Sequence, residues 1–270
     1  MQSVFLGGNT NQGFTSFYGG FCADADDFLY VIKGGPGCGK SSFMKGVASA
    51  WERRGLPVLR VFCSGDPDSL DGVYCKSLHL GFVDGTAPHV QEVRYMGVSG
   101  AYLDFSPFFD LEAVRAQKDL IRVLSDACST EYRKAYDLLR AFAAPQRAAI
   151  KKPDCFLRAI TCKGAVSFYP SDVQTVSPKE LRLLLHTPCT VIAHPLFPAL
   201  IEGVYLPNTA QLAFCPDGQA EQALLRAVSE VAPVLAAAKA LHDELETVYR
   251  PFVDFAAVDK LLEKYTETEN

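Results

Sequence analysis

The chain has 270 residues, 49% of them hydrophobic and 21% charged, a composition that is ordinary for a globular protein with a hydrophobic core. The formal net charge of −5 argues against nucleic acid as a partner, because such partners require a basic surface. No apolar run reaches the roughly 20 residues that a membrane span requires, and the first residues lack the positive region and apolar core of a secretion signal.

The nine cysteines are scattered along the chain and include no C-x-x-C pair. An odd number of cysteines without an export signal indicates reduced thiols rather than disulfides or a zinc site. The sequence therefore predicts a cytoplasmic protein with one large domain or two modest ones.

The first predicted elements are a strand, a glycine-rich loop and a helix. Residues 3–20 alternate short apolar runs with Gly and Asn, which predicts one or two strands joined by tight turns. Residues 28–33, FLYVIK, predict a buried strand. Residues 34–41, GGPGCGKS, match the pattern G-x-x-x-x-G-K-S, and residues 41–54 have apolar positions at helical spacing before Gly55. This order of elements is the context that the pattern requires.

The pattern predicts a loop that binds the phosphates of a nucleotide. Glycines carry no Cβ, so backbone N–H groups can surround a polyphosphate, and the amino-terminal end of the next helix faces the same anion. Lys40 is expected to reach the β and γ phosphates, and the Ser41 hydroxyl to bind Mg²⁺. Alkylation of Cys38 is expected to block the site. The predicted binding residues are Gly34, Gly35, Pro36, Gly37, Cys38, Gly39, Lys40, Ser41 and Ser42.

Carboxylates follow the next predicted strand, at residues 58–63. Asp66, Asp68 and Asp71 form an acidic loop there, at the strand end where ligands bind in open α/β sheets. Asp66 or Asp68 is expected to position or deprotonate an attacking water.

A third strand is predicted at residues 78–84 and ends at Asp84. A carboxylate at the end of such a strand, beside a phosphate-binding loop, is expected to hold the Mg²⁺ shell. Thr86 and His89 follow. They either contact the γ-phosphate or the attacking water, or they shape the turn.

Residues 108–144 contain no Gly or Pro, and their apolar residues recur every seven positions. This pattern predicts a long helix or a helical hairpin with a packing face. An alternative is an arm that binds a protein partner through the same face.

The chain contains an internal repeat. Residues 5–18 align with residues 156–169 at an offset of 151, and residues 57–74 align with residues 188–205 at an offset of 131. The second copy is therefore 20 residues shorter, in the place where the first copy has its glycine loop. We interpret residues 1–150 as a nucleotide-binding lobe and residues 151–270 as a degenerate lobe without the loop.

The second copy keeps the predicted strands and loses acidic residues. Asp66 aligns with Phe197, Asp68 with Ala199, and Asp84 with Cys215 or Pro216, whereas Asp71 aligns with the acidic Glu202. These losses suit a nucleotide-binding role for Asp66, Asp68 and Asp84.

Helices are predicted on both sides of the second copy's strands. Ser177, Pro178 and Glu180 form a capping box with proline at the first helical position. Residues 219–265 predict a second helical arm with breaks at Pro233 and Pro251. The two helical arms are expected to pack together.

Four segments carry a family resemblance: FLGGNTxxGFxSFY, GGPGxGKSxxMK, CSxDPDSLDG and DGTAPH. They resemble a largely uncharacterised group of bacterial two-lobed P-loop ATPase-like proteins, whose fuller members carry a phosphate loop in both halves. The resemblance is specific over residues 5–95 and looser beyond. It implies a P-loop NTPase-type fold, with a mainly parallel sheet flanked by helices, and ATP binding at the single remaining loop.

The leading hypothesis is an Mg²⁺-dependent ATPase or an ATP-driven switch, in which Lys40, Asp84, Asp66 and Asp68 have catalytic roles and Ser41 and Asp84 hold the metal. One alternative is a kinase that acts on a small molecule or nucleotide. Another is a nucleotide-sensing module that does not hydrolyse ATP and docks a protein partner through the helical arms.

Overall fold

A computed structural model describes residues 2–88, 90–142, 155–166, 173–196, 200–206, 208–209, 211–215 and 217–266. In the first half the strands are β1 (Gln2–Val4), β2 (Gly7–Thr10), β3 (Gly13–Ser16), β4 (Phe28–Lys33), β5 (Leu59–Phe62), β6 (Leu70–Cys75), β7 (Leu80–Asp84) and β8 (Gly100–Asp104). Its helices are α1 (Lys40–Arg53), α2 (Leu111–Ala116) and α3 (Lys118–Phe142).

In the second half the strands are β9 (Cys155–Leu157), β10 (Ala159–Thr161), β11 (Gly164–Val166), β12 (Val173–Thr175), β13 (Thr190–Ala193), β14 (Ile201–Leu206) and β15 (Gln211–Phe214). Its helices are α4 (Pro178–Leu184), α5 (Gly218–Tyr249) and α6 (Phe255–Thr266).

The main sheet of the first half has six strands in the order β1-β5-β6-β7-β4-β8. The sheet is mixed, because β6 is antiparallel to β5 and β7 while the other pairings are parallel. The carboxyl ends of β4, β5, β7 and β8 therefore lie at one edge. The predicted α/β class is confirmed, and so is the strand over residues 28–33.

Two strands of this sheet were not predicted. β6 begins inside the predicted acidic loop and extends beyond it, and its pairing with β5 and β7 on both sides overrides the poor strand propensity of Asp71 and Gly72. β8 is a short edge strand that pairs with β4. The third predicted strand begins later than expected, since residues 76–78 form a 3₁₀ turn.

The sheet of the second half repeats this plan. Its order is β9-β13-β14-β15-β12, which matches β1-β5-β6-β7-β4, with parallel and antiparallel pairings in the same places. The register also matches: Val61 pairs with Gly72, and Ile192 with Gly203, at an offset of 131. A register shift follows both Val61 and Ile192. This register assigns the position of Asp84 to Cys215, whereas Phe197, Ala199 and Pro216 lie outside the described residues.

The shortening of the second copy is spread over three places. The difference in residue number between matching positions is 151 where the hairpin β10–β11 matches β2–β3. It is 144 where β12 matches β4, and 138 where the start of α4 matches the start of α1. Helix α4 has 7 residues where α1 has 14, which lowers the offset to 131. The glycine loop thus accounts for only part of the missing residues, and the helix behind it has lost half its length. The capping box at Ser177 is confirmed.

The two halves meet through their small hairpins. Thr10 and Thr161 each donate from Oγ1 to a carbonyl oxygen three residues on, of Gly13 and Gly164 respectively, and both threonines are buried. Asn9 Nδ2 donates to the Ile160 carbonyl oxygen across the interface at 3.2 Å. These contacts pair the two hairpins in matching positions.

The helical arms pack together as predicted. Residues 118–142 form one helix, α3, rather than a hairpin, and it lies along α5. The buried residues of α3 are Leu124, Cys128, Ala135 and Leu139. No helix among the described residues could span a membrane.

The carboxyl-terminal helix α6 packs on α1 of the first half, although the predicted boundary assigns it to the second. Tyr265 of α6 makes edge contacts with the rings of Phe43 and Phe82, at centroid distances of 6.0 and 5.3 Å. These rings belong to the core beneath α1, which also contains the buried Trp51. The core of the first half therefore depends on the end of the chain.

The predicted break at Pro233 is wrong, because Pro233 lies inside the 32-residue helix α5. Proline removes one backbone donor and leaves the carbonyl one turn earlier without its helical partner. That carbonyl belongs to Ser229, which is exposed as Pro233 is, so water can satisfy it. The helix does end near Pro251, as predicted.

Replacement of Pro233 tests this account of α5. Pro233→Ala should raise the free energy of unfolding by about 1–3 kcal/mol, because a helical hydrogen bond is regained and a ring clash is removed. Urea denaturation measures this change. The control is Glu230→Ala, which alters an exposed position of the same helix without affecting a backbone donor. A Pro233→Ala protein that is less stable than the wild type would contradict the account.

Candidate functional site

The glycine-rich loop, residues 34–39, joins β4 to α1 at the carboxyl edge of the first sheet. Gly37 has φ +67° and Gly39 has φ +91°, which are left-handed conformations that favour glycine. Gly39 is the N-cap of α1 and has no side chain with which to cap the first turn. The first turn of this 14-residue helix thus lacks a side-chain cap, and the backbone N–H of Lys40 faces the Cys38 thiol.

Lys40 folds back over this loop. Its Nζ donates to the carbonyl oxygens of Gly34 at 3.1 Å and Gly35 at 2.9 Å. The same ammonium lies 3.6 Å from Asp84 Oδ2, and both side chains are largely buried. Lys40 therefore links the start of the loop to the end of β7, the strand next to β4.

Asp84 and Ser41 are each fixed by a hydrogen bond from a neighbouring loop or strand. Thr86 donates to Asp84 Oδ1 from its backbone N at 2.9 Å and from Oγ1 at 2.6 Å. Ser41 Oγ accepts from the backbone N of Leu70 at 2.9 Å. The Asp84 carboxylate and the Ser41 hydroxyl are both oxygen groups of the kind that a hard cation binds. Ser42 is exposed on α1, and His89 lies outside the described residues.

The acidic loop after β5 makes a tight turn. Asp66 Oδ1 accepts from the backbone N of Asp68 at 3.2 Å, and Asp66 Oδ2 accepts from Ser69 Oγ at 2.7 Å. Asp68 is exposed and pairs with Lys163 at 2.5 Å, and this hydrogen bond lowers the pKa of the Asp68 carboxyl. The turn fixes Asp66, whereas Asp68 is held by the second half.

Helices α5 and α6 cover one side of the glycine loop. A Cβ at Gly37 would lie 3.0 Å from the carbonyl oxygen of Glu246 in α5. A Cβ at Gly39 would lie 3.5 Å from Val258 Cγ1 in α6. A Cβ at Gly35 would lie 3.3 Å from the ring of Phe109, which makes an edge contact with Tyr249. The carboxyl-terminal helices thus restrict the conformation of the loop.

The structure argues against the expectation that alkylation of Cys38 blocks the site. Cys38 is 1% exposed and belongs to the core beneath α1. Burial raises the pKa of its thiol, although the neighbouring Lys40 ammonium opposes this shift. The thiol is thus poorly placed for alkylation, and Cys38 contributes its backbone to the loop and its side chain to the core.

A buried carboxyl group lies in the matching strand β6 or β14 of each half, as Asp71 or Glu202. Asp71 is buried in the first half near Cys63 and Tyr18. Burial, followed by the charge of Asp71, raises the pKa of both the Tyr18 hydroxyl and the Cys63 thiol.

At the matching positions of the second half, Glu202 and His194 replace Asp71 and Cys63. Arg158 donates to Glu202 Oε1 at 3.2 Å and to both carboxylate oxygens of Glu221 at 2.7 Å. Burial raises the pKa of Glu202 to about 7 and lowers the pKa of His194 to about 4. The second half therefore has an arginine–carboxylate network at these positions, in which Arg158 and Glu202 are largely buried.

Several residues of this edge were missed by sequence reasoning. Thr86 was considered only as a phosphate contact or turn residue, and it bonds to Asp84. Lys163 and Lys239 come from the second half, and Lys239 Nζ lies 3.7 Å from Asp66 Oδ2. No local sequence signal joins them to the acidic loop, because each pair is formed by residues far apart in the chain.

Comparison of the chain with protein-family models, with curated proteins and with solved structures found no match.

The buried Glu202 predicts a specific pH dependence of stability. Burial raises the pKa of the Glu202 carboxyl from its ordinary value of 4.5 to about 7 in the folded chain. The folded state thus binds more protons between these values, and stability from this group falls as pH rises through that window. His194, with its lowered pKa, contributes the opposite slope between about 4 and 6.5. The difference in free energy of unfolding between wild type and Glu202→Gln isolates the carboxyl.

That difference should fall by up to about 3 kcal/mol between pH 4.5 and pH 7. Chemical denaturation at several pH values measures this difference. The control is Asp217→Asn, which removes an exposed carboxyl at the N-cap of α5, where Asp217 accepts from two backbone amides. A difference that rises with pH would show that Arg158 keeps Glu202 ionised and would contradict the account.

Proposed function

We propose that the chain binds Mg²⁺-ATP at residues 34–41 and is an Mg²⁺-dependent ATPase or an ATP-driven switch with a P-loop NTPase-type first half. The observation that carries this proposal is the position of Lys40. Its ammonium lies against the loop carbonyls and 3.6 Å from the carboxylate of Asp84 on the neighbouring strand. A triphosphate at the amino-terminal end of α1 would meet this cation and the positive end of the helix dipole together.

The residues present fit a magnesium nucleotide. Ser41 offers a hydroxyl oxygen and Asp84 a carboxylate oxygen, which are the ligand types that Mg²⁺ prefers. Lys40 would pair with the β and γ phosphates, and Gly37 and Gly39 would let the backbone amides face them. Bound Mg²⁺ would neutralise charge that develops on the phosphate oxygens.

Asp66 is the better candidate for the water-positioning carboxylate. Its side chain is 30% exposed and its carboxylate is oriented by the turn, whereas the Asp68 side chain is 73% exposed and pairs with Lys163. Asp66 would accept a proton from the attacking water while the bond between the γ-phosphorus and its bridging oxygen breaks. The products would be ADP and inorganic phosphate.

The contacts of α5 and α6 favour the switch form of this proposal. The glycine loop packs against Glu246, so a nucleotide that alters the loop would also act on α5. A sensing module would bind ATP tightly without releasing phosphate. Measurement of phosphate release during single-turnover incubation with excess protein distinguishes it from an ATPase.

Removal of the Lys40 charge tests nucleotide binding. Lys40→Ala should weaken Mg²⁺-ATP binding by roughly 10- to 100-fold, because a charge-assisted contact to phosphate is lost. The measurement is the rise in melting temperature with Mg²⁺-ATP, compared with the wild type. The control is Lys76→Ala, which removes an exposed lysine paired with Asp24 away from the loop. An equal rise in the wild type and in Lys40→Ala would show that the loop is not the binding site.

Replacement of Asp84 tests the metal role. Asp84→Asn keeps an oxygen for Thr86 but removes the charge, so the gain in ATP affinity that Mg²⁺ gives to the wild type should shrink at least about tenfold. Titration of ATP with and without Mg²⁺ measures this gain. Asp104→Asn is the matched control, since Asp104 ends strand β8, on the far side of β4 from β7, and accepts from the backbone N of Ser106. The metal role is contradicted if Asp84→Asn and Asp104→Asn show the same Mg²⁺ dependence.

A further inference from the structure

The second half contacts the acidic loop of the first half at three points. Cys162 Sγ donates to the Gly65 carbonyl oxygen at 3.8 Å, and Lys163 Nζ lies 2.5 Å from Asp68 Oδ2. Lys239 of α5 lies 3.7 Å from Asp66 Oδ2. The turn between β10 and β11 and the helix α5 thus hold the loop from one side.

The position of Lys239 is itself fixed. Asp243, one turn later on α5, accepts from Lys239 Nζ at 2.7 and 2.8 Å, and the Lys239 side chain is only 21% exposed. Further along the same helix, Glu246 contacts Gly37 of the glycine loop. Lys239 and Glu246 are about 10 Å apart along the helix axis, at 1.5 Å per residue. One rigid element therefore contacts both the acidic loop and the glycine loop.

One of these three contacts adds little to stability by itself. The pair between Lys163 and Asp68 is exposed, and exposed ion pairs contribute little to the free energy of folding. Asp66 and Asp68 are also among the acidic positions for which the sequence alignment gives no acidic counterpart in the second half. The lysines thus face carboxylates that belong to the first half alone.

We propose that the second half, which has no glycine loop, positions the acidic loop of the nucleotide site, with Lys239 as the positioning residue for Asp66. This inference rests on the proposed function and deepens it. Asp243 holds the Lys239 ammonium, and the ammonium attracts the Asp66 carboxylate. Asp66 is thereby directed for its contact with the attacking water, while Lys40 and the loop amides bind the nucleotide.

The test separates binding from turnover in the full chain. Lys239→Met keeps the length of the side chain and removes its charge. It should lower kcat for Mg²⁺-ATP hydrolysis at least about tenfold and change the Kd for Mg²⁺-ATP less than about twofold. Lys239→Arg should restore most of the lost turnover. The control is Lys134→Met, which breaks an exposed pair with Glu131 on the neighbouring helix α3 and should change neither quantity.

Three results would overturn the inference in distinguishable ways. A Lys239→Met protein with wild-type kcat would show that Lys239 has no positioning role while nucleotide binding stands. Equal losses in Lys239→Met and Lys239→Arg, with a lowered melting temperature, would assign Lys239 to packing. A wild-type chain that binds Mg²⁺-ATP without hydrolysing it would also remove the positioning role. A wild-type chain that does not bind Mg²⁺-ATP at all would overturn the proposed function itself.

Discussion

The contacts of the Lys40 ammonium are the interactions on which the account of this protein depends. It joins three parts of the chain: the two glycine carbonyls that begin the loop, the amino-terminal end of α1 and the Asp84 carboxylate at the end of β7. A lysine that is largely removed from water needs such partners. The left-handed conformations of Gly37 and Gly39 fold the loop so that its first carbonyl oxygens lie within reach of the ammonium. The same arrangement places a cation, the amino-terminal end of a helix without a side-chain cap, and oxygen ligands at one edge of the sheet, which is why we propose a magnesium nucleotide there.

The two halves share one strand order, but only the first half combines it with a glycine-rich loop. Both sheets share their order and their register, so the sheet does not require the glycine loop. The second half has a shorter connection into a helix half as long, and its buried carboxyl Glu202 pairs with Arg158. The second half also supplies α5, which packs along α3 and against the glycine loop, and α6, which completes the core beneath α1. Its contribution is structural support at the edge where the first half has its loops.

Sequence reasoning predicted what is encoded locally. The run at residues 28–33, the glycine spacing, the stop at Gly55 and the capping box at Ser177 each depend on neighbours within a few residues, and each is present. Sequence reasoning failed where residues far apart in the chain determine the local structure. β6 is a strand because β5 and β7 pair with it on both sides, and Pro233 stays in a helix because its side of α5 is exposed. The core position of the Cys38 side chain and the approach of Lys239 to Asp66 depend on tertiary packing, which no spacing in the sequence reports.

The most direct test of the central claim is the number of nucleotides that one chain binds. Isothermal titration with a non-hydrolysable ATP analogue in the presence of Mg²⁺ counts the sites without relying on turnover. A glycine loop in the first half, and a second half whose matching strand leads straight into a capped helix, predict one analogue per chain. Two analogues per chain would show that the second half still binds a triphosphate, and no binding would show that Lys40 and its loop serve the fold alone.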